Sequence, residues 1–357
     1  MCAFLYCFDI PGKGRGNLAS NPVSNETKTK LKGGSYSATY LVERKGRKLI
    51  RKEASLEHDR EYGYTRWHSQ LKKLQRQGKL FPGLFPEVLD FGVDKKNKLA
   101  YFELEFIDNA VTGADFLIAN PPRKEIDVFF EEFVKALDRL HKVTRPSSKN
   151  GLKLYVYEDM ERPLEVASKE PNFKKFLEFK EVVFNGETFP SVAHNVSALY
   201  EIADKYHHDA WECYTHGDLT LENVLWVPSQ KRIVFFDLYE ENISDNVYQD
   251  YGKLLQSSKH YYEVYKHLDA KIDGNKVDLK VKPYPGIDYF NEKFHDFMQK
   301  SLSRDELMIV RLYELSNFLR TQPFHMVSQK DKMIYFYCVG CSLFGKLLKD
   351  AGMDGKR

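Results

Sequence analysis

Three polar residues stand at intervals that suit chemistry on a phosphate chain. Asp218 and Asn223 lie five positions apart in Thr215-His-Gly-Asp-Leu-Thr-Leu-Glu-Asn223. Asp237 follows an apolar run, Ile233 to Phe236, that reads as a strand. Phosphoryl transfer from a nucleoside triphosphate needs such parts. One carboxylate takes the proton of the attacking hydroxyl. An amide and a second carboxylate hold the metal ions that neutralise the triphosphate. A Gly-Asp pair alone carries little information, because it is a common turn pair. The Asn at the matching interval and the Asp beyond a strand make the set specific. Asp218 is therefore the candidate catalytic residue, and Asn223 and Asp237 are the candidate metal ligands.

Protein kinases write the first part as His-Arg-Asp, with an Asn five positions after the Asp and a metal-binding Asp downstream. Gly217 stands here in place of the Arg. His216-Gly-Asp-Leu219, with Asn223 and Asp237, resembles the aminoglycoside phosphotransferase and choline kinase group, the small-molecule branch of the protein-kinase-like fold. The resemblance implies an α+β, two-lobed fold, with a small β-rich N-lobe and a larger, mostly helical C-lobe. ATP and Mg²⁺ would bind between them, and the γ-phosphate would pass to a hydroxyl of a small molecule. Leu-Tyr-Glu-Glu-Asn follows Asp237 where protein kinases have Phe-Gly, and no Ala-Pro-Glu occurs downstream. An atypical Ser/Thr protein kinase and a non-catalytic, nucleotide-binding pseudokinase are the competing readings. The intact Asp218, Asn223 and Asp237 speak against the second.

The elements that must position these residues lie on both sides of them. Gly33, Gly34 and Ser35 precede a β-prone run, Ala38 to Glu43, a turn at Arg44 to Arg47 and a returning strand, Lys48 to Lys52. Backbone N–H groups in a small-residue turn can face phosphate oxygens, although the Gly-Gly-Ser stretch departs from the kinase Gly-x-Gly-x-x-Gly. Successive strand residues face opposite ways, so only one of Arg51 and Lys52 points into the cleft. Lys52 matches the Val-Ala-Ile-Lys pattern of a phosphate-binding lysine. Leu56 to Gln77 reads as a helix, with Trp67, Leu71 and Leu74 at helical intervals. Glu57 or Glu61, one turn apart on it, would orient the lysine, and Glu61 fits the family pattern better. Val88 to Val93 and Leu99 to Ile107 read as strands, and the backbone of Glu105, Phe106 and Ile107 would meet adenine. The lobes divide near Asp108, giving an N-lobe at 28–108 and a C-lobe at 109–357. Residues 1–27, with Pro11 to Gly16 rich in Gly and basic residues, form a segment of uncertain structure.

Phe129 to Val143 reads as an amphipathic helix at the base of the larger lobe. In the family, helical insertions shape the acceptor pocket, and Asn150 to Asp209 occupies that place. Tyr155, Tyr157, Glu158, Asp159 and Arg162 there either contact the acceptor or form a surface turn. Asp250, in Tyr-Gln-Asp-Tyr-Gly-Lys-Leu-Leu, reads as a helix-start residue, favoured there by the helix dipole. Helical patterns run from Ile287 onward, including Glu306 to Leu319 and Lys332 to Ala351, broken at Arg320 to His325.

Composition narrows the rest. The 357 residues carry a formal charge of +3, which suggests no nucleic-acid partner. No run approaches the length of a membrane span, and no signal peptide is legible, so the expected location is the cytoplasm. Five scattered cysteines argue for a reducing compartment. Cys338 and Cys341 suit one face of a buried helix, and His207, His208, Cys213 and His216 match no zinc spacing. The acceptor is a sugar, an amino alcohol or an aminoglycoside-like compound. Glu158, Asp159 and Glu161 would suit a cation and the many tyrosines a sugar, and a sugar or related metabolite is preferred.

Overall fold

The computed structural model of the protein describes residues 26–31, 38–57, 63–146, 151–206, 211–239, 242–243, 245–262, 264, 269–328 and 330–353. Gly33, Gly34, Ser35 and Glu61 fall outside these residues, as do Pro11 to Gly16, His207 and His208.

The chain first builds an antiparallel sheet. Strands β1 (Glu26–Lys30), β2 (Ala38–Arg44) and β3 (Arg47–Ser55) are followed by helix α1 (Thr65–Leu80) and strands β4 (Val88–Asp94) and β5 (Leu99–Glu105). The sheet order is β1-β2-β3-β5-β4. Lys45 and Gly46 both take left-handed backbone angles, φ 50° and 74°, as a two-residue hairpin turn requires. Strand alternation then separates Arg51 from Lys52. Arg51 lies on a face laced with ion pairs, 2.7 Å from Glu53 and 2.8 Å from Glu103. Lys52 shares the other face with Ala54, and Phe102 and Leu104 beside them pack on Trp67, Leu71 and Leu74 of α1. The helix predicted from Leu56 is seen at Thr65–Leu80, and its predicted first residue is held by the sheet instead. The cause is the sheet: Ser55 still pairs with Leu99, and the Leu56 N–H donates to the Lys98 carbonyl at 2.8 Å, so this backbone is committed to the strand.

The rest of the chain is mostly helical. Strand β6 (Val111–Thr112) leads into α2 (Gly113–Ile118), capped by the Thr112 hydroxyl, which accepts from the Asp115 N–H at 3.0 Å. Helix α3 (Arg123–Leu140) buries Ile126, Phe129, Phe133, Leu137 and Leu140 along one stripe. After β7 (Val143–Pro146) come α4 (Gly151–Val156), a π turn at Tyr157–Glu161, α5 (Arg162–Ala167) and α6 (Pro171–Leu177). A hairpin, β8 (Glu181–Phe184) and β9 (Glu187–Pro190), precedes α7 (Val196–Lys205) and β10 (Trp211–Cys213). The helical insertion expected here therefore contains strands. Its signal is Asn185-Gly186, both left-handed, a pair that favours tight hairpins. Strands β11 (Val224–Val227) and β12 (Arg232–Phe235) form a hairpin beside β6, and α8 (Val247–Ser258) follows. A further hairpin, β13 (Asp269–Asp273) and β14 (Lys276–Lys280), joins β8 in parallel through β14. Helices α9 (Pro285–Ser301), α10 (Arg304–Leu319), α11 (Gln322–Ser328) and α12 (Lys330–Ala351) complete the chain's described part. The predicted break at Arg320 to His325 narrows to Arg320 and Thr321, because α11 starts at Gln322.

Two large apolar clusters hold most of these elements, and a small third one gathers Ile107, Val227 and Val234. One large cluster runs from α1 and β5 through α3 to the β11–β12 hairpin, α8 and α9. The other joins the 152–206 segment to α10 and α12, and it contains Cys338 and Cys341, both buried. No helix among the described residues is long and apolar enough to cross a membrane.

Candidate active site

The loop from Thr215 to Asn223 connects β10 to β11, and its shape follows from Gly217. That residue has φ 85°, and a Cβ there would stand 2.5 Å from both the Asn242 side-chain amide and the Tyr239 carbonyl. An arginine at this position would meet both obstacles, which accounts for the glycine. His216 is buried, and one neutral tautomer satisfies its ring. Nε2–H donates to the Phe236 carbonyl at 2.8 Å, and Nδ1 accepts from the Asp218 N–H at 3.2 Å. Burial lowers the His216 pKa, more than the neighbouring Asp250 and Asp218 charges raise it, so the ring stays neutral. His216 thus fastens the loop to the segment that carries Asp237. The Asn223 amide Nδ2 donates to the Asp218 carbonyl at 2.8 Å and to its carboxylate Oδ2 at 3.1 Å.

Two helices grip this loop and the segment that follows β12. From α8, the Asp250 carboxylate accepts from the His216 N–H and the Gly217 N–H, each at 2.8 Å, and from His141 Nε2 at 3.0 Å. One turn on, Lys253 Nζ lies 2.9 Å from Asp218 Oδ1. One further turn on, the Ser257 hydroxyl accepts from the Leu221 N–H at 2.8 Å. From α1, Gln70 Nε2 donates to Asp237 Oδ1 and to the Leu238 carbonyl, both at 2.7 Å. Lys73 Nζ donates to the Tyr239 carbonyl at 2.6 Å, and Gln77 Nε2 to the Thr215 carbonyl at 3.1 Å.

Asp237 follows β12 with φ 58°, a left-handed angle that Asp tolerates better than most residues. Its Oδ1 lies 2.5 Å from Lys52 Nζ, so the lysine read as phosphate-binding reaches the carboxylate read as metal-binding. Asp218 and Asp237 are 34% and 35% exposed, open enough to meet a ligand. Desolvation works to raise the Asp218 carboxyl, but the charges of Lys253 and Arg320 and the Lys253 hydrogen bond outweigh it, leaving it at about 2. Desolvation likewise raises Asp237, and Lys52 and Gln70 bring it below the usual carboxylate range. Both carboxylates are ionised at neutral pH.

Among the described residues no group of three or more His, Cys, Asp and Glu side chains is gathered to hold a metal. Mg²⁺ asks for less, since it is bound by one or two carboxylates with substrate phosphates and water supplying the rest. The Asp237 carboxylate and the Asn223 carbonyl oxygen are hard oxygen donors of that kind.

The remaining candidates divide. Tyr155 is fully buried, with its hydroxyl 2.8 Å from the Ser316 hydroxyl and its ring against Tyr313, so it belongs to a core and not to an acceptor surface. Glu158 and Arg162 pair with each other at 2.5 Å on the outside, and Tyr157 is exposed. Asp159 lies 3.7 Å from Arg320, whose guanidinium lies 5.9 Å from the Tyr239 ring. Glu105 ends β5 with its N–H on the Glu87 carbonyl at 2.9 Å, and Ile107 is buried against Val227 and Val234. Glu57 pairs with Lys98 at the surface, away from Lys52.

Sequence reasoning missed Gln70, Lys73, Gln77, Lys253 and Arg320. A signal existed for four of them. They are polar residues at three- and four-residue intervals on helices whose other faces pack apolar side chains.

A comparison with solved structures finds the same fold. A thermostable mutant of aminoglycoside phosphotransferase APH(4)-Ia, in a ternary complex with AMP-PNP and hygromycin B, aligns at TM-score 0.57 and 12% identity, covering 91% of this chain and 94% of that one. The apo form of a thermostable mutant of that enzyme aligns at TM-score 0.54 and 14% identity, over 91% and 95%. A glucosamine kinase aligns at TM-score 0.51 and 13% identity, over 91% and 81%. No curated protein sequence matches the chain. A scan against protein families matches residues 28–269 to the phosphotransferase enzyme family. With that match spanning most of its length, and with Lys52 on Asp237 and Asn223 on Asp218, the chain belongs to the phosphotransferase enzyme family.

Proposed function

We propose that this protein transfers the γ-phosphoryl group of ATP, with Mg²⁺, to a hydroxyl of a small metabolite, a sugar or a related compound. The observation that carries the proposal is the meeting of Lys52 with Asp237 beside the Asp218–Asn223 pair. Residues 28–108 form the nucleotide lobe, with Gly33, Gly34 and Ser35 over the phosphates, Glu61 orienting Lys52, and the backbone at 105–107 against adenine. Residues 109–357 carry the catalytic loop and the acceptor side. Asn223 and Asp237 hold Mg²⁺, which neutralises charge on the phosphate chain. When nucleotide binds, Lys52 exchanges Asp237 for phosphate oxygens.

Asp218 receives the acceptor hydroxyl. Its low pKa makes it a weak base, which suits a loose transition state in which the attacking oxygen needs orientation more than early proton removal. Each carboxylate oxygen accepts more than one hydrogen bond, so Lys253 and Asn223 leave room for a hydroxyl donor. Among the described residues, Lys253 and Arg320 offset the charges of Asp218 and Asp159, which supports a metabolite over a polycation.

The test is phosphate transfer from labelled ATP with Mg²⁺ to sugars, amino alcohols, aminoglycosides and a generic protein. Transfer to one small hydroxyl compound is expected, falling about 10³-fold in Asp218→Asn. Transfer to protein alone would replace the proposal with an atypical protein kinase. Absence of any transfer would leave the non-catalytic reading.

A further inference from the structure

We infer that Lys253 is a positioning residue for phosphoryl transfer: from the second turn of α8 it locks the Asp218 carboxylate in the orientation that receives the acceptor hydroxyl. The inference rests on the proposed phosphotransferase activity and adds to it a residue that the motif does not contain.

The geometry begins with the face of α8 that carries residues 250, 253 and 257. Asp250 fixes the backbone of His216 and Gly217, and Ser257 fixes the backbone of Leu221. Lys253 stands between them, and the group it holds is the side chain of Asp218. The helix therefore measures out the loop residue by residue, and its middle contact goes to the reacting carboxylate. Lys253 is fixed on its own side as well. Its side chain is 6% exposed, and its ammonium lies 5.4 Å from the centre of the Tyr262 ring. Gly252, the residue before it, presses on α10: a Cβ there would stand 2.7 Å from the Glu314 N and from Tyr313 Cβ. That contact leaves α8 little freedom to slide and keeps Lys253 at its height against the loop.

A buried lysine is costly. Taking an ammonium out of water carries a desolvation penalty that an apolar residue in the same place would avoid. Lys253 is charged and desolvated beside a carboxylate that is a third exposed, so the pair has one inflexible member and one that faces the cleft. Asn223 holds Oδ2 and Lys253 holds Oδ1, which leaves the carboxylate no free rotation about its last bond. In the step itself, the acceptor oxygen forms a bond to the γ-phosphorus as the bond from that phosphorus to the β,γ-bridging oxygen breaks. The electron pair leaves with ADP, and the hydroxyl proton passes to Asp218. Lys253 gives and takes no proton. It keeps the receiving oxygen in place, and a fixed charge in a desolvated site needs no reorganisation during the reaction.

Steady-state kinetics of the full chain test this with Lys253→Met, Lys253→Arg, Asp218→Asn and the double variant. The assay uses the acceptor found in the panel, and slow hydrolysis of ATP by water if none is found. Lys253→Met should lower kcat about 10²-fold or more, the size seen when one preorganised polar contact is removed from a reacting centre. KM for ATP and the affinity for a fluorescent ATP analogue should stay within threefold, and Lys253→Arg should recover part of the rate. The double variant should be no slower than Asp218→Asn alone, because the two residues act as one unit. A kcat for Lys253→Met within threefold of the wild type would overturn the inference. So would a loss of nucleotide affinity matching the loss of rate, or multiplicative effects in the double variant. A merely structural lysine would lower the melting temperature, and arginine would not restore the rate. A wild-type chain that neither transfers nor hydrolyses would instead remove the phosphotransferase reading, and this inference with it.

Discussion

Helices α1 and α8 hold the Thr215–Asn223 loop and the Asp237–Tyr239 segment beside it with opposite chemistry. From the sheet region, α1 offers donors: Gln70, Lys73 and Gln77 reach the carbonyls of Leu238, Tyr239 and Thr215. From the helical region, α8 offers acceptors: Asp250 and Ser257 take the N–H groups of His216, Gly217 and Leu221. Both use positions three and four apart, so each presents one helical face. Between them the loop's peptide groups are satisfied at both poles, as a buried and irregular backbone requires. The helices differ in how they are anchored. α8 is buried on every side from Gln249 to Ser258, and charged groups fix its far end. α1 is exposed along part of its length. α8 therefore serves as the reference to which the loop is fitted. α1 ties that loop and Asp237 to the lobe that carries Lys52.

The strongest way to break this comparison is Asp250→Ala. It strands two buried backbone N–H groups and the His141 ring, and at about 1–3 kcal/mol for each unsatisfied donor it should cost about 3 kcal/mol or more. Urea unfolding measures it, and a loss below about 1 kcal/mol would deny α8 its role as reference. Glu314→Gln probes the anchor beneath α8. Glu314 is buried with Lys259 at 2.8 Å and His260 at 2.7 Å. Burial works to raise its pKa, but Lys259 and His260 prevail, and the carboxyl is held at about 2 against an ordinary 4.5. A depressed carboxyl stabilises the fold fully above its unfolded pKa, and this contribution is lost as pH falls from about 4.5 to about 2. The variant should lose about 1.5–3 kcal/mol at neutral pH. Its stability should also fall less steeply than the wild type's across that acid window, as followed by thermal melting.

Gly252→Ala sharpens the same point by steric means. Its new methyl would meet backbone on α10, and overpacking of this kind costs about 1–3 kcal/mol. A melting temperature unchanged from wild type would show that α8 can shift. On the α1 side, Gln70→Leu removes donors to Asp237 and Leu238. It should cost about 1 kcal/mol and raise KM for ATP more than it lowers kcat. An equal fall in both would place α1 with the catalytic loop instead. Arg162→Ala, in an outer ion pair with Glu158, should change stability by less than about 0.5 kcal/mol and leave turnover intact. A marked rise in acceptor KM would return that pair to the acceptor site.

Much of this molecule could be read along the chain. Asp218, Asn223 and Asp237 stand out because their intervals are local, and a loop followed by a hairpin brings them together without help from distant parts. The separation of Lys52 from Arg51 follows from the two-residue period of a strand, and the cysteines at 338 and 341 from the period of a buried helix. Fewer of the details around the site were legible. Leu56 was misassigned to α1 because pairing with β5, decided across more than forty residues, holds Ser55 in the sheet and Leu56 on the Lys98 carbonyl. Tyr155 looked like a surface aromatic until α10 covered it.

What the sequence by itself determined is the fold and the set of candidate groups that it presents, since both rest on short intervals and on the periods of strands and helices. The tertiary structure alone decided which polar faces would meet the loop. Periodicity shows that Asp250, Lys253 and Ser257 share a face, as Gln70, Lys73 and Gln77 do. Which face turns towards which loop depends on how helices dock across intervals of 33 to 168 residues. That docking is set by the summed packing of two apolar cores, and no local pattern encodes it.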